Sequence, residues 1–419
     1  MAKRKRKQNP EREGVESRKN WGWLGEWGER AIEATSEWPL MYIALGSEPK
    51  TEHPFNLYRD IMSIPQALRD TLKTVPEQVS EVADEILRRN LNRIISLGLG
   101  TSQFVAIGVS SALGNFGAWD AESADCAEFM ISQRDLGLAN SAVLIFSGSG
   151  RTVDALRAAE KALDASAYTV AIGSVAHSPL TKITDSAIIC AGGFDTGGSD
   201  TFHYATRLLA GILLAIELGE RTDPKRCEFK VLRQQLENIP DWLEANTKAL
   251  DRRCRSIARQ YKNVRTVLTV GGGPNLASAE EFALKFDEMA HIPAKAMCPT
   301  RHIHGAIGLT DERILTAIIA PPGASYPWLR QVALATVGLK TPSLALVTES
   351  DKEIAKMMDY VVRLPNLDET LFTIPASFVI QLIPYYCAVE QGNINPDCQR
   401  ANIPKYARVW MQIFPPGTH

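Results

Sequence analysis

The stretch "VLIFSGSGRTVDALRAAEKAL", residues 143–163, decides the fold, because an apolar run ends in a turn rich in glycines and hydroxyls and leads directly into a helical pattern. "RIISLGLGTSQFVAIGVSSALG", residues 93–114, has the same order of strand, turn and helix, and "VRTVLTVGGGPNLASAEEFALKF", residues 264–286, repeats it. Strands that alternate with helices predict βαβ units and a mainly parallel sheet. The sequence therefore predicts an α/β protein with helices flanking its sheets.

The strand–helix pattern occurs twice, which predicts two similar domains. We expect a first domain at 55–225, a helical linker at 226–255, a second domain at 256–400 and a C-terminal tail at 401–419 that closes the active site. Residues 1–54 form a basic extension with a Lys/Arg run at 3–7 and four tryptophans. We expect the basic run to be a solvated tail and the tryptophans to pack on the body or on a partner subunit.

The composition argues against several classes of protein. A net charge of −2 gives no bulk attraction to nucleic acid or to an acidic membrane. The sequence also has no run of about 18 apolar residues that would predict a membrane span. The seven cysteines are scattered, odd in number and without a CxxC pair, which is typical of reduced thiols in the cytoplasm. We therefore expect a cytoplasmic protein without nucleic-acid or membrane partners.

The turn "SGSGRT" has the residues that a phosphate cradle needs. Ser147, Ser149 and Thr152 supply hydroxyl donors where a helix begins, and the glycines let the backbone approach an anion. The turn matches neither the Walker loop nor GxGxxG, so a dinucleotide is not favoured. The plainer alternative is a local helix cap. "GLGTSQ" makes the same joint one strand earlier, which adds Thr101 and Ser102 to the predicted pocket rim.

The second half has ionisable residues on a largely apolar helix. Glu281, Lys285 and Glu288 are spaced i, i+4 and i+7 and so share one helical face. Such a group is either a solvated ion pair or the lining of a cavity suited to acid–base chemistry. His302 and His304 follow, but no third metal ligand stands near them, so we predict neither a metal nor a cofactor.

As a set, these motifs resemble those of the sugar isomerase (SIS) domain family. The set comprises "GTS", "SGSGRT", "AEEFALKFDE", "HG" and the closing "YYCAVEQGNINPD" with "IPK", and it covers roughly residues 55–408. The sequence is similar to the isomerase half of glucosamine-6-phosphate synthase and to related deglycases and deaminases. The resemblance implies two SIS-type domains, each a parallel sheet between helices, and a phosphorylated sugar as substrate.

The resemblance also implies roles for individual residues. Thr101, Ser102, Ser147, Ser149 and Thr152 would bind the phosphate of the sugar. Glu288 would move a proton between C1 and C2, supported by Glu281 and Lys285. His304 would open the sugar ring from the neighbouring subunit of a homodimer, and Lys405 would contact the open-chain carbonyl.

Several positions depart from the family pattern. Arg301 stands where those isomerases have Glu, Ala306 where they have Pro, and Asp200-Thr201-Phe202 where they have Ser-Thr-Lys. One extra residue precedes Lys405. These changes affect the sugar end of the site and leave its phosphate end intact. Because residue 2 is Ala and about 54 residues precede the first domain, we expect no glutaminase activity on this chain.

The favoured function is a sugar-phosphate isomerase, deaminase or deglycase that works by ring opening and proton transfer between C1 and C2. The alternative is a regulator that binds a sugar phosphate without chemistry, although such regulators usually carry a helix-turn-helix segment ahead of one SIS domain. A third possibility is a structural partner that assembles through its Trp-rich arm.

Overall fold

The computed structural model describes residues 50–117, 119–132, 137–193, 195–226 and 228–397, and beyond these only Val409 and Ile413. Nearly all of the basic, Trp-rich extension lies outside the described residues, as does Lys405 in the predicted tail.

The first half of the chain contains eight helices and five strands in these described ranges. In chain order they are α1 (Asn56–Met62), α2 (Ile64–Thr74), α3 (Pro76–Arg88), β1 (Arg93–Gly98), α4 (Thr101–Gly117), β2 (Asp120–Asp125), α5 (Cys126–Ile131), β3 (Ser141–Phe146), α6 (Val153–Asp164), β4 (Tyr168–Gly173), α7 (Pro179–Ile183), β5 (Ser186–Ile189) and α8 (Thr201–Thr222).

The second half begins with a long helix and repeats the alternation. Its elements are α9 (Glu228–Tyr261), β6 (Thr266–Gly271), α10 (Asn275–Lys285), β7 (Ala294–Met297), α11 (Pro299–Ile303), β8 (Ile314–Ile319), α12 (Tyr326–Gly338), β9 (Ser343–Thr348), α13 (Ile354–Met357), β10 (Tyr360–Leu364) and α14 (Thr373–Gln391). One π-helical turn, Phe286–Ala290, extends α10.

Each half holds one five-stranded sheet in which all neighbouring strands are parallel. The strand order is β2-β1-β3-β4-β5 in the first sheet and β7-β6-β8-β9-β10 in the second. Every strand of one sheet therefore has a counterpart in the other, β1 with β6 through to β5 with β10. This confirms the prediction of two α/β units of the same architecture.

Apolar runs form the central strands because both faces of each sheet are covered. All six residues of β3 and of β4 are buried, and so are all six of β8 and β9. One core cluster joins the two halves, with α8 from the first half and α14 from the second. By length and composition α8 could cross a membrane, but 94% of its most apolar window is buried in the protein, as in a core helix.

Two helical segments, one before the first sheet and one between the two sheets in the chain, differ in detail from a simple helical pattern. The apolar residues of 56–72 have helical spacing, but the helix is interrupted at Ser63, because Pro65 lacks an N–H and fits best in the first turn of a new helix. Between the two sheets, α9 runs from Glu228 to Tyr261 and buries an apolar stripe that includes Leu236 and Leu243. The predicted linker region is thus a packed helix.

Candidate active site

The loop after β3 holds the hydroxyls that the sequence assigned to a phosphate. Ser147 and Ser149 are buried, with 4% and 8% of their surface exposed. The Ser147 hydroxyl accepts from the Gly150 N–H at 3.0 Å, and the Ser149 hydroxyl accepts from the Arg151 N–H at 3.3 Å. A hydroxyl that accepts in this way still carries its own proton, so both serines can donate to an anion.

Two features of the same loop fix its shape. Gly150 has a φ of +63°, and a Cβ at this position would collide with the Ser178 side chain, so both conformation and space require glycine. Thr152 is the N-cap residue of α6 and is only partly buried, which leaves its hydroxyl at the entrance to that helix. The loop and the first turn of α6 together form an anion cradle.

Thr101 and Ser102, at the start of α4, have different partners. The Ser102 hydroxyl accepts from Arg207 Nη1 at 2.5 Å and keeps its proton for a ligand. The Thr101 hydroxyl donates to Glu281 Oε2 at 3.0 Å and accepts from Lys285 Nζ at 3.1 Å. Its proton is therefore committed to a residue of the second half, and its contact with phosphate stays a prediction.

Glu281, Lys285 and Glu288 meet at the end of α10. Lys285 is fully buried, and its Nζ lies 2.8 Å from Glu288 Oε2 and 3.4 Å from Glu281 Oε1. The same Nζ donates to the Ser199 carbonyl oxygen at 2.7 Å. Glu281 is fully buried, whereas 29% of the Glu288 side chain is exposed. The π-helical turn that follows Lys285 carries Glu288, and such turns are frequent at functional sites.

Burial and neighbouring charges shift the pKa values of all three ionisable residues. Burial raises the pKa of Glu281 to about 7, although the Lys285 ammonium opposes the rise. Burial also raises the pKa of Glu288, again against Lys285. Burial alone would lower the pKa of Lys285, but Glu281 and Glu288 raise it above its usual range. At neutral pH the group thus holds a stable cation beside a reachable carboxyl of raised basicity, which suits general base catalysis.

A further charged cluster lies beside the loop at 147–152, and only its first member, Asp200, stood out in the sequence. Asp200, at a φ of +55° before α8, pairs with Arg207 and accepts from His203 Nδ1 at 2.9 Å. Arg207 is fully buried and also donates to the His203 carbonyl oxygen at 2.9 Å. The spacing of Asp200, His203 and Arg207 at i, i+3 and i+7 is the signal that could have predicted one charged face on this apolar helix.

The remaining predicted residues are not brought into this group. His304 is exposed at the C-terminal end of α11, and among the described residues no hydrogen bond connects it with Glu281, Lys285 or Glu288. His302 is fully buried, and burial lowers its pKa. In the described ranges no group of three or more His, Cys, Asp or Glu side chains is arranged to hold a metal ion.

Comparisons with known proteins identify the family of this chain. The SIS domain model matches residues 87–215 and 260–390, more than half of the chain. The glutamine–fructose-6-phosphate aminotransferase (isomerizing) of Thermococcus kodakarensis is 27% identical over 353 residues, which cover 84% of this chain and 58% of the relative. The chain thus spans a little over half the length of that relative.

Solved structures share the fold. The C-terminal domain of glucosamine-fructose-6-phosphate aminotransferase from Francisella tularensis superposes with a TM-score of 0.74 at 19% identity, over 82% of this chain and 98% of that one. Glucosamine-6-phosphate deaminase from Thermotoga maritima superposes with a TM-score of 0.63 at 15% identity, over 82% and 97% of the two chains. The fold of this chain is therefore shared by an aminotransferase domain and a deaminase that act on phosphorylated sugars.

Proposed function

Because the chain belongs to the SIS domain family, we propose that it is an enzyme that isomerises or deaminates a phosphorylated sugar. The phosphate binds the hydroxyls of Ser102, Ser147, Ser149 and Thr152 and the start of α6. Glu288 moves a proton between C1 and C2 of the open-chain sugar. Deglycation of an amine-conjugated sugar phosphate is a third outcome of the same proton transfer.

One observation carries the proposal. The buried Lys285 ammonium bonds at once to Glu288, at 2.8 Å, and to the carbonyl of Ser199, at 2.7 Å. The next residue, Asp200, lies against the phosphate loop, because a Cβ on Gly148 would be 2.8 Å from Asp200 Oδ1. A reachable carboxyl is thus connected by direct contacts to an anion cradle in the other half of the chain.

The chemistry follows from these groups. The Glu288 carboxylate takes the C2 proton of the open-chain aldose, O1 gains a proton, and the electron pair forms the C1=C2 bond of an enediol. Return of the proton to C1 and loss of the O2 proton give the ketose. If C2 carries an amine, the same steps give a C2 imine, and addition of water releases ammonia. Lys285 stabilises the negative charge that develops during proton transfer.

The phosphate is remote from the carbons that react. Its binding energy therefore orients the open-chain sugar, and its charge has little effect at C1 and C2. Ring opening is assigned to His304 of a second copy in a homodimer, which agrees with the exposure of His304 on its own chain. Lys405 is the proposed contact of the open-chain carbonyl.

The test separates binding from turnover. A panel of hexose and hexosamine 6-phosphates and of Amadori 6-phosphates is screened for thermal stabilisation and for product. Glu288→Gln is expected to lower kcat about 10²–10⁴-fold for the active compound and to leave its Kd within about threefold. Glu280→Gln, on the same helix but outside the cluster, is the matched control and should keep full turnover.

Two outcomes would contradict the proposal. A protein that binds a phosphosugar with the stoichiometry of its chains but converts none of the panel would be a sugar-phosphate regulator. A protein whose binding is unchanged by Ser149→Ala would not hold the phosphate in the proposed loop.

A further inference from the structure

We propose that Asp200 binds hydroxyl groups on the sugar chain between the phosphate and the reacting carbons, and thereby determines which phosphosugars the site accepts. The inference rests on the proposed function, because it takes the phosphate to lie on the loop at 147–152 and the reacting carbons to lie at Glu288.

Contacts on both sides place Asp200 in this intermediate position. On one side, its carboxylate lies against Gly148, whose missing Cβ would be 2.8 Å from Asp200 Oδ1 and 3.2 Å from His203 Nδ1. On the other side, the carbonyl of the preceding residue, Ser199, accepts from Lys285, which also binds Glu288. A ligand that extends from the phosphate loop to Glu288 therefore passes Asp200.

The carboxylate has free capacity to accept hydrogen bonds. Oδ1 accepts from His203 and Oδ2 from Arg207, while a carboxylate offers about four acceptor positions. The side chain is 22% exposed, so a ligand can reach the remaining positions. Burial alone would raise the pKa of Asp200, but Arg207 and His203 hold it below its usual range, so the group accepts and does not donate.

An acceptor in this place favours one class of substrate. Hydroxyl groups on the carbons next to the phosphate-bearing carbon can donate to it, whereas a carboxylate or second phosphate there would be repelled. The site therefore takes a polyhydroxylated chain with one phosphate and no acidic group in its middle. The serine that the resembled isomerases have at this position is a weaker and uncharged partner.

The Arg207 guanidinium explains how the Asp200 carboxylate can lie beside the proposed phosphate site. Arg207 compensates its charge. The two ring nitrogens of His203 face Asp200 Oδ1 and, at 2.6 Å, the Gly193 carbonyl oxygen, and both of these atoms are acceptors. With the Arg207 guanidinium beside it, the Asp200 carboxylate presents no uncompensated negative charge to a phosphate on the neighbouring loop.

The experiment uses ligands that cannot react. Kd values are measured by calorimetry for inorganic phosphate, a hexitol 6-phosphate and its 3-deoxy, 4-deoxy and 5-deoxy analogues, on the full chain. We expect the wild type to bind the complete hexitol phosphate about 10–100-fold tighter than at least one deoxy analogue, as befits a hydrogen bond to a charged acceptor. Asp200→Asn and Asp200→Ser should reduce that ratio to within about threefold of unity.

Inorganic phosphate separates this role from a purely structural one. Loss of a negative charge beside the loop should leave phosphate binding unchanged or make it a few-fold tighter in both variants, whereas a collapsed loop would weaken it. Asp223→Asn, at the exposed other end of α8, should leave every Kd as in the wild type.

The outcomes distinguish this inference from the proposed function. If the ratio of Kd values between a deoxy analogue and the complete hexitol 6-phosphate is the same in Asp200→Asn as in the wild type, the role of Asp200 is overturned and the proposed function is not. A wild type that binds neither phosphate nor hexitol phosphate overturns the phosphate site, and with it both proposals.

Discussion

The loops after β3 and after β8 occupy equivalent places in two sheets of the same strand order, yet the carboxylate nearest to each loop has different hydrogen-bond partners. In the second half, Glu369 covers the loop. Its carboxylate accepts from the Ala324 N–H at 3.2 Å and from the Ser325 hydroxyl at 3.1 Å, and a Cβ at Gly323 would collide with it. The chain therefore supplies its own anion to one cradle.

Glu369 and Asp200 come from equivalent segments, the connections from β10 to α14 and from β5 to α8. Asp200 meets a cation on its own helix, Arg207, and so does not take the N–H groups of the loop. The sequence of α14 has no Lys, Arg or His, and Glu369 turns to the loop instead. We therefore expect the duplicated architecture to leave a loop free for a ligand in the half that neutralises its own carboxylate.

The largest expected effect comes from removing that neutralising cation. Arg207→Met leaves Asp200 beside the loop without its main partner, and breaking a buried ion pair from one side typically costs about 3–5 kcal/mol. Urea unfolding measures the loss, and phosphate binding should disappear with it. Arg221→Met, on the same helix but with 24% of the side chain exposed, should cost less than about 1 kcal/mol.

The double variant Arg207→Met with Asp200→Asn sharpens the comparison. Because no carboxylate is then left uncompensated, it should be more stable than Arg207→Met alone. Equal stability of the two variants would mean that Arg207 acts through its packing and not through its charge.

The next effect comes from opening the second loop. Glu369→Ala leaves the backbone and hydroxyl donors of residues 324 and 325 without their acceptor, which should cost about 1–2 kcal/mol of the free energy of unfolding. The next measurement compares the Ser149→Ala variant, as parent, with the double variant that also carries Glu369→Ala. Added phosphate should raise the melting temperature of the double variant but not that of the parent. The control is Glu353→Ala, an exposed carboxyl of the same half.

Equal shifts in the parent and in Glu369→Ala would break the equivalence of the loops. The second loop would then be an ordinary helix entry capped by a side chain, with no capacity for an anion.

The last effect is a dependence of stability on pH and arises in the first half. Asp60 accepts from the Thr196 N–H at 2.8 Å, and Asp195 accepts from the N–H groups of Gly198 and Thr201 at 2.8 Å each, so these two carboxyls hold the loop before α8. Burial and the neighbouring Asp195 raise the pKa of Asp60 to about 8.

The folded chain therefore keeps a proton on Asp60 that the unfolded chain loses near pH 4. Between about pH 4 and pH 8 this group makes the free energy of unfolding fall as pH rises, by at most about 1.4 kcal/mol per pH unit, and above pH 8 its effect is constant. Asp60→Asn should flatten this part of the curve, whereas Asp84→Asn, an exposed carboxyl, should not.

The sequence predicted the parts of the fold that have a local signal. Strands β3 and β4 are buried on both faces, so they are apolar runs and were recognisable. Strand β2, Asp-Ala-Glu-Ser-Ala-Asp, lies at a sheet edge and has no such run; it is a strand because β1 pairs with all six of its residues. The four-residue β7 is at the corresponding edge of the second sheet and gave no signal either.

The site likewise has parts with a local sequence signal and parts without one. Hydroxyls and glycines between 147 and 152 form one continuous motif, so their proximity could be predicted. The hydrogen bond between Thr101 and Glu281 joins residues 180 positions apart in different halves, and nothing in either local pattern indicates it. Ser102 and Arg207, 105 positions apart, meet in the same way, since only the packing of α4 against α8 brings them together.

The contacts of Lys285 determine what would happen if the two halves of the chain were separated. Its ammonium contacts Thr101 and Ser199 from the first half and Glu288 from the second, so neither half alone contains the whole of the proposed reaction centre. Two genes that encoded the halves separately would give products that are inert alone and regain turnover only on reassociation. Fusion into one polypeptide fixes their ratio at one to one and makes the encounter intramolecular.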